Sequence, residues 1–259
     1  MELGKDMMLQ DKVVVVLGVG PGVGRSIALA SAREGADVVL AARTKSKLDE
    51  VAEEVTALGR RALAVPVDLT EPDTGERLAS AAMAEFGRID SLVYNALAMP
   101  PLKDLMAVDP AAVQDAFNAN VVSTLRLVQR FTMINSLVFV NSMVVRFSQR
   151  TMGSYKMAKS ALLAMASSLA TELGPKGVRV NSVAPGNIRG DSLDYYFSYL
   201  GHKRGVDPQV IAEEFITRCD LRRLVESDDV ANAVVFLASD MAAAITGQCL
   251  DVNCGEYHH

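Results

Sequence analysis

At 259 residues, half of them hydrophobic and 22% charged, the chain is long enough to bury a sizeable α/β core and too apolar to remain disordered. A formal net charge of −5 and a pI of about 5.3 argue against a nucleic-acid surface. No apolar run approaches the ~20 residues that a membrane span needs, and MELGKDMMLQDK at the start lacks the apolar core and cleavage site of a signal peptide. Cys219, Cys249 and Cys254 form no C-x-x-C pair and read as free thiols of a cytoplasmic protein. His202, His258 and His259 have no metal-ligand spacing, so no metal is expected.

In chain order, Val13–Leu17 is a β-branched run of the kind a parallel sheet covers on both faces. It leads into Gly18-Val19-Gly20-Pro21-Gly22-Val23-Gly24 and a helix through Arg25. Strand, glycine turn and helix form the setting in which backbone N–H groups cradle a pyrophosphate. The spacing is G-x-x-x-G-x-G through Gly18, Gly22 and Gly24, with Val23 in place of the last glycine of G-x-G-x-x-G. Four glycines in seven residues favour a dinucleotide over an empty tight turn.

Asp37–Ala42 is the second strand. An acid at its end would bind the 2′-hydroxyl of NAD, and an arginine suits the 2′-phosphate of NADP. The end reads Ala41-Ala42-Arg43-Thr44-Lys45, with no acid before Asp49, so NADP(H) is favoured and NAD(H) stays possible. Lys47–Leu58 is an amphipathic helix and Ala62–Val67 a third strand. Asp68, before Leu69, could accept from an adenine amino group or cap a turn. A helix from Pro72 to Phe86 and a strand Ile89–Tyr94 precede Asn95-Ala96. Val108–Phe131 reads as one long helix, inside which Asn120 needs either exposure or a buried polar task.

After a tight connection, Leu137–Val140 is a buried strand ending at Asn141-Ser142, and Met152–Leu173 is a long helix. Tyr155 and Lys159 lie four apart on one helical face, and a strand end can point Ser142 at the same spot. An ammonium lowers a phenol's pKa, and the phenol can then exchange a proton with a substrate oxygen that a serine hydroxyl orients. Val178–Val183 is a sixth strand, followed by Pro185-Gly186. Residues 187–224 break the βα rhythm and cluster Tyr195, Tyr196, Phe197 and Tyr199. A helix Ser227–Leu237 and a strand Cys249–Val252 close the chain. The alternation predicts a single α/β domain over residues 1–259: a Rossmann-type, doubly wound, parallel seven-stranded sheet with helices on both faces.

With these motifs in this order, the chain resembles the short-chain dehydrogenase/reductase family in its ~250-residue form, over about Asp11 to Gly255. The glycine turn, Asp68, Asn95-Ala96, Asn120, Ser142, Tyr155-x-x-x-Lys159 and Pro185-Gly186 carry the likeness, and Ser142 precedes Tyr155 by thirteen positions. The resemblance implies hydride transfer between a nicotinamide and a secondary alcohol or ketone, with Tyr155 as general acid/base and Ser142 orienting the carbonyl. Lys159 would hold the nicotinamide ribose and lower the Tyr155 pKa, and Asn120 would hold a water in a proton relay. The cofactor contacts it implies are Gly18, Gly20, Gly22, Val23, Gly24, Arg43, Asp68, Leu69, Asn95, Ala96, Tyr155, Lys159, Pro185, Gly186 and Ile188. It also implies a homotetramer, or a homodimer.

Four positions depart from the family's pattern: Leu17 for a threonine, Tyr94 and Leu97 around Asn95-Ala96, and Gly190 for a threonine. The 187–224 segment would cover the substrate. Its tyrosines Tyr195, Tyr196 and Tyr199, with Met143 and Val144, point to a bulky apolar substrate such as a steroid or alicyclic compound. They serve equally to pack the segment on the core. A 3-oxoacyl-thioester reductase is the second reading, on the basic groups His202, Lys203, Arg204, Arg218, Arg222 and Arg223. A cofactor-binding module without turnover is the third.

Overall fold

The computed structural model describes residues 7–258. Parts of the N-terminal and histidine readings fall on residues 1–6 and His259, outside that range. Seven parallel strands form one sheet in the order β3-β2-β1-β4-β5-β6-β7. They are β1 Val13–Leu17, β2 Asp37–Ala42, β3 Ala62–Pro66, β4 Ser91–Tyr94, β5 Ser136–Val140, β6 Arg179–Pro185 and β7 Cys249–Val252. The helices are α1 Val23–Arg33, α2 Lys45–Ala57, α3 Thr74–Phe86, α4 Pro110–Phe117, α5 Ser123–Val128, α6 Gly153–Leu173, α7 Asp191–Arg204, α8 Pro208–Arg218 and α9 Ser227–Ala238.

Period-two alternation explains why β1 is apolar throughout. Val14 and Val16 join a core with Ile27, Leu48 and Val234 on one face of the sheet. Val13, Val15 and Leu17 join a second core with Leu78, Leu127 and Leu162 on the other. Both faces are covered, so no polar position is tolerated between. The winding reverses between β1 and β4, which pair in parallel from Val14↔Ser91 to Leu17↔Tyr94. Open α/β sheets bind ligands in the crevice beyond such a reversal.

The single helix expected over Val108–Phe131 is three pieces. Asp109 caps α4, its carboxylate accepting from Ala111 N at 2.9 Å, and Pro110 occupies the first position. Asn118–Val122 is a π-helical turn that separates α4 from α5. An extra residue per turn of this kind is common at functional sites. The apolar pattern continues through the bulge, which hides it from periodicity.

Residues 187–224, expected only as an interruption, fold as α7 and α8 around a small core of Phe197, Ile211, Phe215 and Leu224. The segment returns to the main body through a bridge between Ile188 and Val225.

The glycine turn is shaped by close approach. Gly18 has φ +82°, and a Cβ there would lie 2.6 Å from Ala96 N. At Gly24 a Cβ would meet backbone on two sides, the Gly18 carbonyl oxygen and Val19 Cα at 2.8 Å, whereas at Gly20 it would meet nothing within 4 Å. Gly24→Ala should therefore lower the Tm by about 5 °C or more, while Gly20→Ala leaves it nearly unchanged. Thermal melts of the two variants check this, and equal Tm values would contradict it.

Candidate active site

A cleft of about 470 Å³ opens at the winding reversal. Leu17, Gly18, Val19, Gly20 and Pro21 form its floor, Ala41 to Thr44 and Lys47 one end, and Val67 to Thr70 and Asn95 to Ala98 the sides. Of the expected cofactor residues, Gly18, Gly20, Arg43, Asp68, Leu69, Asn95 and Ala96 line it. Gly22, Val23 and Gly24 do not. They begin α1, where no side chain caps the helix and the first turn holds no acid, leaving its N–H groups and positive dipole end open to an anion. Asn95 turns inward: its Nδ2 donates to the Gly18 carbonyl at 2.9 Å, tying β4 to the glycine turn.

Charge at the end of β2 is distributed unevenly. Lys45 is neutralised by Asp49 at 2.7 Å. Arg43 and Lys47 are exposed, line the cleft and have no ion pair among the described residues. Lys47 and Thr44 were missed by sequence reasoning, which stopped at the strand end; one further helical turn brings Lys47 onto the same side. Asp68 accepts from Thr70 N at 2.9 Å and Thr70 Oγ1 at 2.7 Å, both on Oδ1. These bonds, led by the Thr70 backbone, hold its carboxyl below the usual range. The cap reading of Asp68 is thus seen directly, with the residue still on the cleft wall.

The catalytic candidates converge. Ser142 lies just past the end of β5, caps a short 3₁₀ turn over Met143–Val145, and accepts from Val144 N at 3.3 Å. Its side chain lies near enough to the Tyr155 hydroxyl to draw the phenol's pKa down, without a well-formed hydrogen bond between them. Burial pushes the Tyr155 phenol above its ordinary value, and the Ser142 contact opposes this. Lys159 is only 3% exposed. Its Nζ donates to the Val140 carbonyl at 2.9 Å and lies 5.9 Å from the Tyr155 ring centroid. No carboxylate pairs with it among the described residues, and burial lowers its pKa to about 8.

Asn120 is fully buried at the centre of the π turn. Its Oδ1 accepts from Ala98 N at 2.9 Å, and its Nδ2 donates to Ala98 O and Ala116 O, each at 2.7 Å. The side chain is committed to holding the loop after β4. Its backbone carbonyl accepts from the Thr124 hydroxyl. Tyr94 is buried beneath, its ring 5.9 Å from Phe139 and its hydroxyl beside Thr124 without a well-formed bond of its own.

Pro185 ends β6, and a Cβ at Gly186 would lie 3.2 Å from the Met143 sulfur. Ile188 packs on the main core. Met143 and Val144 are buried. Tyr195 and Tyr199 are 77% and 53% exposed. Tyr196 instead packs on Phe215 within the insertion, and its hydroxyl accepts from Gln149 Nε2 at 3.3 Å. Gly190 caps α7 with φ +151°, a conformation that a threonine there would resist. Among the described residues, no group of three potential metal ligands lies together, and no helix is long and apolar enough to cross a membrane.

The family model described as enoyl-(acyl carrier protein) reductase matches residues 18–257. The chain belongs to the short-chain dehydrogenase/reductase family. It is thus an NAD(P)-dependent oxidoreductase. This short-chain oxidoreductase is 37% identical to an uncharacterized oxidoreductase of Mycobacterium tuberculosis, over 95% of the chain and 92% of the relative. It is 35% identical to an L-rhamnose 1-dehydrogenase of Azotobacter vinelandii (96% and 98% covered). A 3-oxoacyl-(acyl-carrier-protein) reductase of Staphylococcus aureus is 31% identical (96% and 100%). Among solved structures, carveol dehydrogenase of Mycobacterium avium with NAD superposes at TM-score 0.88 with 26% identity, covering 96% and 98% of the two chains. A 7α-hydroxysteroid dehydrogenase with NADH and 7-oxo glycochenodeoxycholic acid superposes at 0.85 with 30% identity, covering 96% of each.

The buried Lys159 carries a stability cost with a defined pH window. Below about pH 8 the folded protein holds the ammonium against desolvation, while the unfolded lysine stays charged up to about pH 10.5. The unfolded state therefore binds more protons across that window, and this contribution improves as pH rises through it. Lys159→Met should raise stability at pH 7 by on the order of 1–3 kcal/mol, with the gain fading toward pH 10. Urea unfolding of both proteins at the two pH values checks this; a destabilised variant at pH 7 would contradict it.

Proposed function

We propose that this oxidoreductase interconverts a secondary alcohol and a ketone using NADP(H), with Tyr155 as general acid/base. The observation that carries the reading is the convergence of Ser142 and the buried, carboxylate-free Lys159 on Tyr155. When bound, the nicotinamide cofactor supplies or accepts the hydride. The glycine turn and the start of α1 suit its pyrophosphate, and Asp68, Leu69 and Ala96 would wall the adenosine end. The unpaired Arg43 and Lys47, beside Thr44, would hold a 2′-phosphate; this favours NADP(H), with NAD(H) as the alternative. Pro185, Gly186 and Ile188 would border the nicotinamide.

In reduction, the Ser142 hydroxyl orients the ketone oxygen and the Tyr155 hydroxyl gives it a proton; oxidation reverses both. The Lys159 ammonium opposes the upward push of burial on the phenol and favours its anion once the proton has left. Since the Asn120 side chain is committed to Ala98 and Ala116, a water relay would use its backbone carbonyl.

For substrate, we favour a bulky apolar alicyclic or steroid compound, with α7 and α8 as its cover. Exposed Tyr195, Tyr199, Leu97, Met99 and Leu102 supply apolar surface, and the carveol and hydroxysteroid dehydrogenases share the fold. Tyr196 is withdrawn from the pocket wall, being committed to Phe215. The Staphylococcus relative supports a 3-oxoacyl thioester as the second reading. Against it, the basic groups are largely engaged: Arg204 by Glu214, Arg223 by Asp229, Arg218 on the Phe215 ring and Arg222 on the Thr217 carbonyl. Exposed Val122 on the π turn, Leu125 on α5 and Met157 on α6 support a homo-oligomer, tetramer or dimer, and the free thiols suit a cytoplasmic compartment.

Tyr155→Phe should cut turnover by about 10²–10⁴-fold while calorimetric NADPH affinity stays within a few-fold; normal turnover in that variant would sink the mechanism. Arg43→Asp should lower the NADPH/NADH preference by at least about tenfold, and an unchanged ratio would show that Arg43 reads no phosphate.

A further inference from the structure

β5 ends at Val140, and the backbone beyond it is held at its near end by Asn141 N donating to Val183 O at 2.7 Å and Ser142 N donating to Asn141 Oδ1 at 3.0 Å. Ser142 opens a single 3₁₀ turn closed by Val145 N to Ser142 O at 3.2 Å and Arg146 N to Met143 O at 2.9 Å. Such a turn is too short to hold its direction unaided. Residues 147–152 then run without helix or strand until α6 begins at Gly153. The near end of the turn is tied to β6, so the remaining freedom in the aim of the Ser142 hydroxyl depends on what anchors the far end.

Arg146 sits at that end. Its Nε donates to both Asp251 carboxylate oxygens at 3.2 Å, and its Nη2 donates to Asp251 Oδ1 at 2.9 Å and to the Cys249 carbonyl at 3.3 Å. Asp251 and Cys249 belong to β7, and β6 lies between β7 and β5 in the sheet. The guanidinium thus reaches past one strand and fastens the serine turn to the next. The two side chains are 18% and 12% exposed, so water competes little for the fork. A planar, multiply bonded fork defines direction as well as distance, which a lysine ammonium does not. Next along the chain, the Phe147 ring lies 6.3 Å from Tyr257, and the Phe147 carbonyl accepts from Lys156 Nζ at 2.7 Å.

We propose that Arg146 is a positioning residue: docked on Asp251, it fixes the turn that aims the Ser142 hydroxyl at Tyr155. The kinetic side of this rests on the function proposed above; the geometric side does not. Substituting one partner alone upsets the charge balance of a mostly buried site and endangers folding. The decisive variant is therefore the Arg146→Met/Asp251→Leu double substitution, which removes both charges together. It should fold, bind NADPH within about twofold of the parent, and show kcat at least tenfold lower with the KM for NADPH unchanged. Asp251→Asn, which keeps the shape and weakens the fork, should show a smaller loss of kcat and stands in if the double variant fails to fold. Arg146→Lys should recover only part of the activity. A crystal structure of the double variant, or of Asp251→Asn in its stead, should show Ser142 Oγ displaced away from the Tyr155 hydroxyl relative to the parent. Parental kcat in the folded double variant, or Ser142 still seated against Tyr155, would reduce the pair to a strand tie and overturn the proposal. If the parent turned over no ketone at all, the proposed function would fall, and the crystal structure would still decide the role of Arg146.

Discussion

A lysine ammonium held inside the protein by one carbonyl, with no carboxylate among the described residues paired to it, is the constraint around which this molecule is arranged. Lys159 is placed there because the first turns of α6 pass the carboxyl end of β5, where its Nζ meets the Val140 carbonyl, while the helix buries Ala158, Leu162 and Ala166 on the same face. Desolvation acts on the lysine and on its neighbour in the same sense: it disfavours the cation of Lys159 and the anion of Tyr155. Each charge becomes easier to form when the other is present. That coupling suits a phenol that must give up and regain a proton, and it explains why Lys159 is buried beside the half-buried Tyr155 although burial weakens the fold. The apolar contacts of α6 offset the cost.

Other parts of the site serve that placement. The π turn puts Asn120 under the loop after β4 and spends its side chain on Ala98 and Ala116. The glycine turn brings β1 close enough to β4 for Asn95 to reach the Gly18 carbonyl. Gly24 lets α1 start hard against that turn. The cleft that results is lined by the glycine-turn backbone and by the cations Arg43 and Lys47, a fitting arrangement for the phosphates of a dinucleotide.

Much of this was legible in the chain itself. Buried parallel strands announce themselves as runs such as Val13–Leu17, and all seven expected strands and the doubly wound sheet are present. The Tyr155–Lys159 spacing and the Ser142 strand end were readable because both arise from the simplest periodicities. What escaped was of two kinds. The π turn at Asn118–Val122 and the helices α7 and α8 depend on tertiary contacts, through Asn120 to Ala98 and through Phe197 to Phe215, that no local pattern encodes. Lys47 and the engagement of Tyr196 depend on which side of a helix faces the cleft, which the chain order alone leaves open. The cap on Asp68 by Thr70 shows the same limit at a smaller scale: both uses of the aspartate were foreseeable, and only geometry shows that one oxygen is already taken.

The most direct measurement is the decay of NADPH absorbance with the purified protein across a panel of cyclic and steroid ketones set beside short and long 3-oxoacyl thioesters. The account predicts turnover on the cyclic ketones. Turnover confined to thioesters would contradict the apolar alicyclic substrate, and silence on every carbonyl, with NADPH bound, would contradict the ketone reductase itself.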